Sequence, residues 1–381
     1  MVFHAFPHGG IVPLPCTAVK IVSIILRLKN YLTIAINMKT SLENNYCVLT
    51  VDSFGGAITD FHLKKDAQIN PLSFAFTKEQ MPENNKNGAP YQGHFLCLGR
   101  WGSPSERETK AGIPNHGEPA NIYWETTPKN NNEIYMQTTA KLEGLHVERS
   151  IQLDESNAVF RVEETVVNIN PLGRLFNMVQ HPTFAAPFLN ASTIVNCNAT
   201  IGFNQVQYQS AEKNSFHFPY VKDNNDNTVN VKNPQTNYNA VFSFLVDKNN
   251  NVGWLTAYSP IHNLLIGYIW KRSDYAWIHL WQHWNETEIL YRGLEFGTAG
   301  IHHPYKEIIN TATQLFSEKT FAYIDAGESV SKKYFCFIYK PARSFAEVEN
   351  VKIDANVIII QTTNEIFTLA TSFNIENELS K

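Results

Sequence analysis

The amino-acid sequence predicts an antiparallel all-β protein, and three observations support that fold class. From Tyr46 onward, short segments alternate apolar and polar residues or are rich in β-branched and aromatic residues, as strands are. Asn-rich turns separate several of these segments, and the periodicity of long helices is almost absent. No Pro-, Gly- or Ser-rich linker and no fixed-period repeat divides this region, so one large sandwich of sheets is the simplest architecture.

The strand predictions follow the chain in order. Three Asn-rich segments, 129–132, 223–227 and 248–251, are predicted hairpin connectors, because Asn tolerates positive φ and caps its own turn. The last two predicted strands form a C-terminal hairpin. The predicted strands are Cys47–Val51, Ala57–Leu63, Ile134–Leu142, Val147–Leu153, Ala158–Asn168, Val241–Leu245, Phe335–Tyr339, Val357–Gln361 and Glu365–Leu369.

The stretch Trp277–His303 is predicted to form two strands joined by a turn at Asn285–Thr287. Its second strand carries Glu295 between two large apolar neighbours, with Gly293 and Gly297 on the same face, where glycine leaves room for a close approach. A carboxylate in apolar surroundings has a raised pKa, which suits a general base near neutral pH. The alternative is a solvated glutamate on an outward face.

Composition excludes several function classes. The 381 residues are 43% hydrophobic, enough for a large core, and the net charge of −4 with 17% charged residues is unlike that of a nucleic-acid binder. The cysteines are odd in number and lack CxxC spacing, so neither a zinc site nor a disulfide framework is predicted, and buried free thiols are expected. The five cysteines are Cys16, Cys47, Cys97, Cys197 and Cys336.

Residues 1–37 differ from the rest of the chain and are predicted to be an N-terminal extension, disordered or upstream of the true start at Met38. Their apolar runs are too short to span a bilayer and lack the flanks of a signal peptide, so no membrane partner is expected. The predicted domain is 38–381, with a cytoplasmic location if translation starts at Met38. Secretion stays open, because the sequons at Asn190, Asn198 and Asn285 are short enough to occur by chance.

Three polar segments interrupt the strands. They are Gly99–Ser105 with Arg100, Gly112–Glu118 with His116, and Asn177–Phe184 with His181. Each residue has an ordinary structural explanation: a surface ion pair for the arginine, a turn position for the first histidine and a core hydrogen bond for the second. Their combination with Glu295 is what points to a functional site.

These residues resemble the aldose 1-epimerases, or galactose mutarotases, over roughly residues 46–340. The resemblance lies in an arginine after an early strand, a histidine in Asn115-His-Gly, a second in Asn177-Met-Val-Gln-His-Pro-Thr-Phe, and a glutamate in Gly293-Leu-Glu-Phe-Gly. It implies a galactose mutarotase-like β-supersandwich that interconverts the α and β anomers of a sugar, with no metal or other cofactor. It also implies that Glu295 is the general base, His181 the general acid and His116 a second acid or hydrogen-bonding partner, with Arg100 and Trp281 binding the sugar.

The sequence also departs from that pattern. No aspartate can be assigned to the sugar-binding position that the mutarotases have, and His116-Gly-Glu-Pro-Ala lacks the arginine of the related phosphosugar epimerases. A neutral small-molecule sugar is therefore the expected partner. Two alternatives stay open: a carbohydrate-binding protein without turnover, and a polysaccharide lyase on similar sheets. A metal site at His302-His303 is disfavoured, because adjacent strand residues point to opposite faces.

Overall fold

Two large antiparallel β-sheets pack against each other in the computed structural model, which describes residues 38–223, 226–234 and 239–380. The predicted extension of residues 1–37 lies outside the described residues, and Cys16 with it. The other four cysteines are buried and unpaired, as expected. None of the helices in the described ranges is long and apolar enough to cross a membrane.

The first sheet has ten strands in the order β1-β2-β3-β4-β10-β20-β19-β16-β12-β13. Neighbouring strands are often distant in sequence, so this order depends on long-range pairing. The strands are β1 (Lys39–Glu43), β2 (Cys47–Asp52), β3 (Ile58–Leu63), β4 (His94–Leu98), β10 (Met178–Phe184), β12 (Ala199–Asn204), β13 (Phe216–His217), β16 (Ala240–Val246), β19 (Trp277–Trp284) and β20 (Ile289–Gly297).

The second sheet has eight strands in the order β11-β17-β18-β24-β8-β7-β6-β5. Its strand pairings are antiparallel, as are those of the first sheet, and the predicted all-β class is confirmed. The strands are β5 (Glu125–Asn130), β6 (Glu133–Ala140), β7 (Leu145–Leu153), β8 (Val159–Asn168), β11 (Ile194–Cys197), β17 (Val252–Ser259), β18 (Leu264–Lys271) and β24 (Ser329–Tyr339).

Small sheets and short helices complete the fold. Strand β9 (Arg174–Phe176) pairs with β23 (Ala322–Ile324), β14 (Tyr220–Lys222) with β15 (Thr228–Asn230), and β21 (Gln314–Leu315) with β22 (Glu318–Lys319). The α-helices span Glu106–Lys110, Tyr305–Thr311 and Ile375–Ser380, and 3₁₀ turns span Lys64–Asp66, Glu83–Asn85 and Gln205–Ser210.

The space between the two large sheets is filled by apolar side chains and also holds a buried polar network around Gln180. The side-chain amide of Gln180 on β10 donates from Nε2 to Glu164 at 2.6 Å. The amide oxygen Oε1 of the same glutamine lies 3.1 Å from His94 Nε2. Arg149 pairs with the same glutamate at 2.7 Å, so the buried charges are matched. Because side chains alternate along a strand, fixing Gln180 in the core turns His181 to the opposite face of the sheet.

A third layer covers the outer face of the eight-stranded sheet. It consists of β25 (Val348–Asp354), β26 (Val357–Thr362) and β27 (Ile366–Ala370), and its apolar face packs on Ile269 and Phe335. The predicted C-terminal hairpin corresponds to β26 and β27. The prediction missed β25, because a register shift after Val348 breaks the alternation that reveals a strand.

One of the three predicted hairpin connectors is wrong. Segments 129–132 and 223–227 join paired strands, β5 to β6 and β14 to β15, although residues 224–225 lie outside the described ranges. Segment 248–251 instead links β16 of the first sheet to β17 of the second. A turn sequence identifies a reversal of the chain, but it does not identify the strand that each arm will pair with.

Candidate functional site

A pocket lies on the face of the ten-stranded sheet that is turned away from the inter-sheet core. In the β19–β20 hairpin, His279 is opposite Glu295 and Trp281 is opposite Gly293, all on the pocket face. Their alternates, such as Leu294, enter the core. The cavity measures about 360 Å³ and is lined by Phe74, Phe76, Pro82, Tyr91, Phe95, Trp101, Gly102, Ser103, His116, His181, Val241, Trp281, Glu295, His302, His303 and Pro304.

Glu295 is the carboxylate of this pocket, and its side chain is only 2% exposed. The indole N–H of Trp101 donates to Oε2 at 2.6 Å, and His181 Nε2 lies 3.2 Å from Oε1. Burial raises the pKa of the Glu295 carboxyl to about 8, against the lowering effect of the Trp101 hydrogen bond. The carboxyl therefore changes charge in the neutral to mildly alkaline range rather than near pH 4.

His181 comes from β10, and two contacts hold its ring in addition to that with Glu295. Nδ1 lies 2.9 Å from the hydroxyl of Thr183, and the ring stacks on Phe95 with centroids 4.3 Å apart. Burial holds the pKa of His181 well below its usual value, and the neighbouring His116 lowers it further. With the Glu295 carboxyl titrating near pH 8, the two groups together hold one proton at neutral pH.

His116 adopts a left-handed backbone, with φ of 60°, in the loop between the α-helix Glu106–Lys110 and β5. The backbone N–H of Gly102 donates to its Nδ1 at 3.3 Å, and Cys97 Sγ lies 3.2 Å from the same nitrogen. An N–H can only donate, so Nδ1 is an acceptor and the ring proton is on Nε2. Burial lowers the pKa of His116 to about 4, which leaves a neutral ring with one N–H to offer.

Arg100, which was predicted to bind the sugar, is not among the residues that line the pocket. Its guanidinium pairs with Glu108 at 2.8 Å and Glu143 at 3.3 Å, and it lies 5.1 Å from the ring centroid of Tyr305. Glu108 lies in the α-helix Glu106–Lys110 and Glu143 in the turn between β6 and β7, so Arg100 ties the segment after β4 to both. The ordinary explanation of an ion pair is the one that the structure supports.

Trp281, which was also predicted to bind the sugar, lies on the pocket wall. Its ring is half-buried and meets Phe74 and Phe76 edge-on, at centroid distances of 6.3 and 6.5 Å. The ring of His181 is 6.0 Å away. Trp281 therefore borders both the apolar part of the pocket and the Glu295–His181 pair.

Sequence reasoning missed Trp101, His302 and His303. Trp101 directly follows Arg100, so the prediction selected the right segment but the wrong one of two neighbours. The histidines were expected on opposite faces of a strand, but β20 ends at Gly297, and in the loop beyond it both side chains line the pocket. His303 Nδ1 lies 3.1 Å from Glu307, and burial lowers the pKa of His302 to about 3.

The pocket has an unusual balance of polar groups. None of the described residues that line it is a lysine, arginine or aspartate. Its polar side chains are four imidazoles, one carboxyl, Ser103 and the Trp281 indole, together with the Tyr91 hydroxyl and the Trp101 indole, which form hydrogen bonds to other protein groups. Across the described residues, no group of three or more His, Cys, Asp or Glu is placed to hold a metal ion. The arrangement offers proton transfer at a single buried pair.

No protein-family model and no curated protein matches this sequence. Solved structures do match its fold. A galactose mutarotase related enzyme from Lactobacillus acidophilus aligns with a TM-score of 0.56 and 11% identity over 80% of this chain and 99% of that one. A galactose mutarotase-like protein from Clostridium acetobutylicum aligns with a TM-score of 0.56 and 13% identity, over 80% of this chain and 95% of that one. An aldose epimerase homologue from C. elegans aligns with a TM-score of 0.51 and 10% identity, over 79% of this chain and 98% of that one. At these identities the likeness shows the fold alone, and it confirms the predicted galactose mutarotase-like β-supersandwich.

Proposed function

We propose that this chain is an aldose 1-epimerase, which interconverts the α and β anomers of a neutral sugar by opening and closing the ring. The observation that carries the proposal is the buried contact of 3.2 Å between Glu295 and His181. Mutarotation needs a base at the anomeric hydroxyl and an acid at the ring oxygen, with the roles then reversed. The two oxygens are bonded to the same carbon, so two groups in direct contact can reach both of them.

The single proton of the pair suffices for ring opening. In the form with a Glu295 carboxylate and a His181 imidazolium, the carboxylate takes the proton of the anomeric hydroxyl. The imidazolium gives its proton to the ring oxygen as the bond from that oxygen to the anomeric carbon breaks. The products are the open-chain aldehyde, a protonated Glu295 and a neutral His181. The proton count of the site has not changed.

Ring closure reverses these transfers after the aldehyde has rotated. The hydroxyl released from the ring attacks the other face of the carbonyl carbon and returns its proton to His181, while Glu295 protonates the carbonyl oxygen. Thr183 supports both states of His181, because its hydroxyl can donate to a neutral Nδ1 or accept from a protonated one. His116 offers a fixed Nε2–H to a sugar oxygen.

A neutral substrate fits the charges around the pocket. A phosphosugar or a uronate would require a cationic partner, and no described lining residue supplies a permanent positive charge. The same observation disfavours the polysaccharide lyase alternative, since a lyase must neutralise the uronate carboxylate. It also supports the expectation that neutral hexoses are preferred over their 6-phosphates.

Polarimetry tests the proposal. A panel of freshly dissolved neutral aldoses is followed to rotational equilibrium with the protein, without it, and with Glu295→Gln as the matched inactive control. We expect the wild-type protein to accelerate at least one sugar above the spontaneous rate and the variant to do so far less. Equal rates in all three arms for every sugar would contradict the proposed reaction.

The engagement of Arg100 by two carboxylates also favours a second candidate, a carbohydrate-binding protein without turnover. With that guanidinium occupied, the pocket has fewer groups to orient a sugar for reaction. Trp101 and Trp281 line the pocket, so their fluorescence can report binding independently of turnover. A sugar that changes this fluorescence and whose mutarotation is not accelerated would identify the second candidate.

A further inference from the structure

The polar and apolar groups of the pocket are separated. Glu295 and His181 are in contact, and the ring of His116 lies 5.4 Å from that of His181. Beyond this polar group, Phe74, Phe76, Val241 and Trp281 form what we call the apolar wall. Val241 and Trp281 are register partners on β16 and β19, so they stand side by side.

The apolar wall can satisfy very few hydrogen bonds. Its one polar side-chain atom is the indole nitrogen of Trp281, which donates and cannot accept. Tyr91 also lines the pocket, but its hydroxyl already donates to Asn115 O at 2.8 Å and accepts from Asn85 Nδ2 at 2.6 Å. A sugar hydroxyl placed against this wall would therefore lose its water without gaining an acceptor for its proton.

The aromatic rings of the apolar wall meet at nearly right angles and do not form one flat surface. The ring planes of Phe74 and Phe76 stand at 83° and 89° to that of Trp281. A single aromatic ring is enough to stack on the C–H face of an ordinary hexose. Rings that meet at right angles instead enclose a compact apolar group, such as a methyl.

From these observations we propose that the pocket takes a 6-deoxyhexose, whose methyl group at C5 packs against the apolar wall. The proposal rests on the proposed function for its orientation. With His181 at the ring oxygen, the next ring atom is C5, and the substituent of C5 lies on the side of His181. The ring of Trp281 is 6.0 Å from that histidine.

The test compares sugars that differ by one hydroxyl. D-Galactose is compared with D-fucose, and D-glucose with 6-deoxy-D-glucose, and D-xylose serves as the control that lacks C6 altogether. Binding is measured by tryptophan fluorescence and turnover by polarimetry. One of these two pairs will bind more tightly than the other. Within that pair, we expect the 6-deoxy sugar to bind at least about fivefold better than the sugar that carries the 6-hydroxyl, because an unpaired buried hydroxyl is costly. D-Xylose should bind more weakly than 6-deoxy-D-glucose, because it has no methyl group to bury.

The outcomes separate this proposal from the proposed reaction. Deoxy sugars that bind tightly but whose mutarotation is not accelerated would contradict the proposed reaction and support the proposed ligand class. Hexoses that bind as well as their deoxy partners would overturn the ligand class, whether or not they are turned over. Equal binding of D-xylose and 6-deoxy-D-glucose would overturn it too. Binding of no sugar at all would overturn both.

A pair of variants locates the apolar group. Val241→Thr keeps the shape of the side chain and adds a hydroxyl to the apolar wall, so the preference for the deoxy sugar should fall severalfold. Val330→Thr makes the same change at a half-buried position of β24 outside the pocket, and its preference should equal that of the wild type. A Val241→Thr protein with an unchanged preference would overturn the placement of the methyl group at this wall.

Discussion

Glu295 and His181 form one titrating unit, and the first prediction separates charge from shape within it. Glu295→Gln keeps the size of the side chain and removes the base. Sugar affinity should change little, while the mutarotation rate should fall by about 10²–10⁴-fold, the usual contribution of general base catalysis. Polarimetry for the rate and tryptophan fluorescence for the affinity measure the two quantities. Near wild-type turnover in this variant would make Glu295 a merely buried glutamate.

The imidazole should be as important as the carboxylate. His181→Asn should lower the rate to a similar extent, and the double variant should be little worse than either single one, because groups that act as a unit are not additive. His116→Asn should be milder, since a neutral ring with a fixed Nε2–H orients the sugar without changing its own charge. Strictly additive losses at Glu295 and His181 would show that the two act independently.

The pH profile follows from the proton that the pair holds. Above about pH 8 the pair loses it, which leaves a carboxylate with a neutral imidazole and removes the acid. After subtraction of the spontaneous rate, kcat/KM should therefore fall as pH rises through about 8. A base acting alone would give a rise instead.

Trp101→Phe supplies a matched test of that assignment. The indole N–H holds the pKa of Glu295 down, so its removal should move the fall in kcat/KM to higher pH. A profile that keeps its midpoint in the variant would mean that another group sets it.

At the scale of single residues, the sequence predicted which side chains face the pocket wherever strand alternation applied. Glu295 was placed correctly because it lies on a regular strand with glycines on its face. Arg100 does not line the pocket although the sequence predicted a sugar-binding role, because it follows a strand end, where alternation stops and either neighbour can face the pocket. The carboxylates that bind it, Glu108 and Glu143, are 8 and 43 residues further along the chain, and no local pattern reveals them.

The β19–β20 hairpin is the element that carries the pocket, and two of its glycines should respond differently to substitution. A Cβ at Gly293 would lie 3.0 Å from Glu295 Oε1 and 3.1 Å from Trp281 Cε3, both side-chain atoms of the pocket. Gly293→Ala should therefore fold normally but lower kcat/KM by tenfold or more, on the order seen for a misplaced catalytic group.

Gly297→Ala is the matched change two residues away. Its Cβ would meet Val179 Cγ2 at 2.5 Å and the carbonyl oxygen of Met178 at 2.9 Å, so the strand itself must move. We expect a loss of about 1–3 kcal/mol in the free energy of unfolding, as for other overpacked sites. Urea unfolding and polarimetry on both variants would show the contrast, and a Gly293→Ala protein that is destabilised as much as Gly297→Ala would contradict it.

At the scale of the whole molecule, the sequence predicts which segments form strands better than it predicts how those strands pair. Alternating segments predicted most of the long strands, because each buries one face. The neighbours of β10 are β4 and β20, some 80 and 110 residues away along the chain, and nothing local specifies that pairing. In the layer of β25–β27 the sequence predicted two of the three strands and missed β25, because the register shift after Val348 breaks its alternation.

Because several histidines are buried, we expect the free energy of unfolding of the whole fold to fall at acid pH. Burial lowers the pKa of five of them: to about 3 for His94 and His302, to about 4 for His116, and well below the usual value for His181 and His279. Below about pH 6.5 the unfolded chain binds these protons and the folded chain does not. Each histidine therefore lowers the free energy of unfolding by about 1.4 kcal/mol per pH unit as the pH falls.

Glu295 and Glu143 act in the opposite direction, because burial raises their pKa to about 8 and about 7 and the folded state keeps their protons where the unfolded chain has lost them. Five histidines against two carboxyls leave a net loss of about 4 kcal/mol per pH unit between pH 6 and 5, enough to remove an ordinary domain stability of about 5–15 kcal/mol within about one to four units. Urea midpoints at pH 7, 6 and 5 should fall steeply, and Glu295→Gln should steepen the fall, because the opposing proton is gone. Midpoints that stay level from pH 7 to 5 would mean that the folded state takes up these protons as readily as the unfolded chain does, and the assignment of a single proton to the Glu295–His181 pair would have to be abandoned.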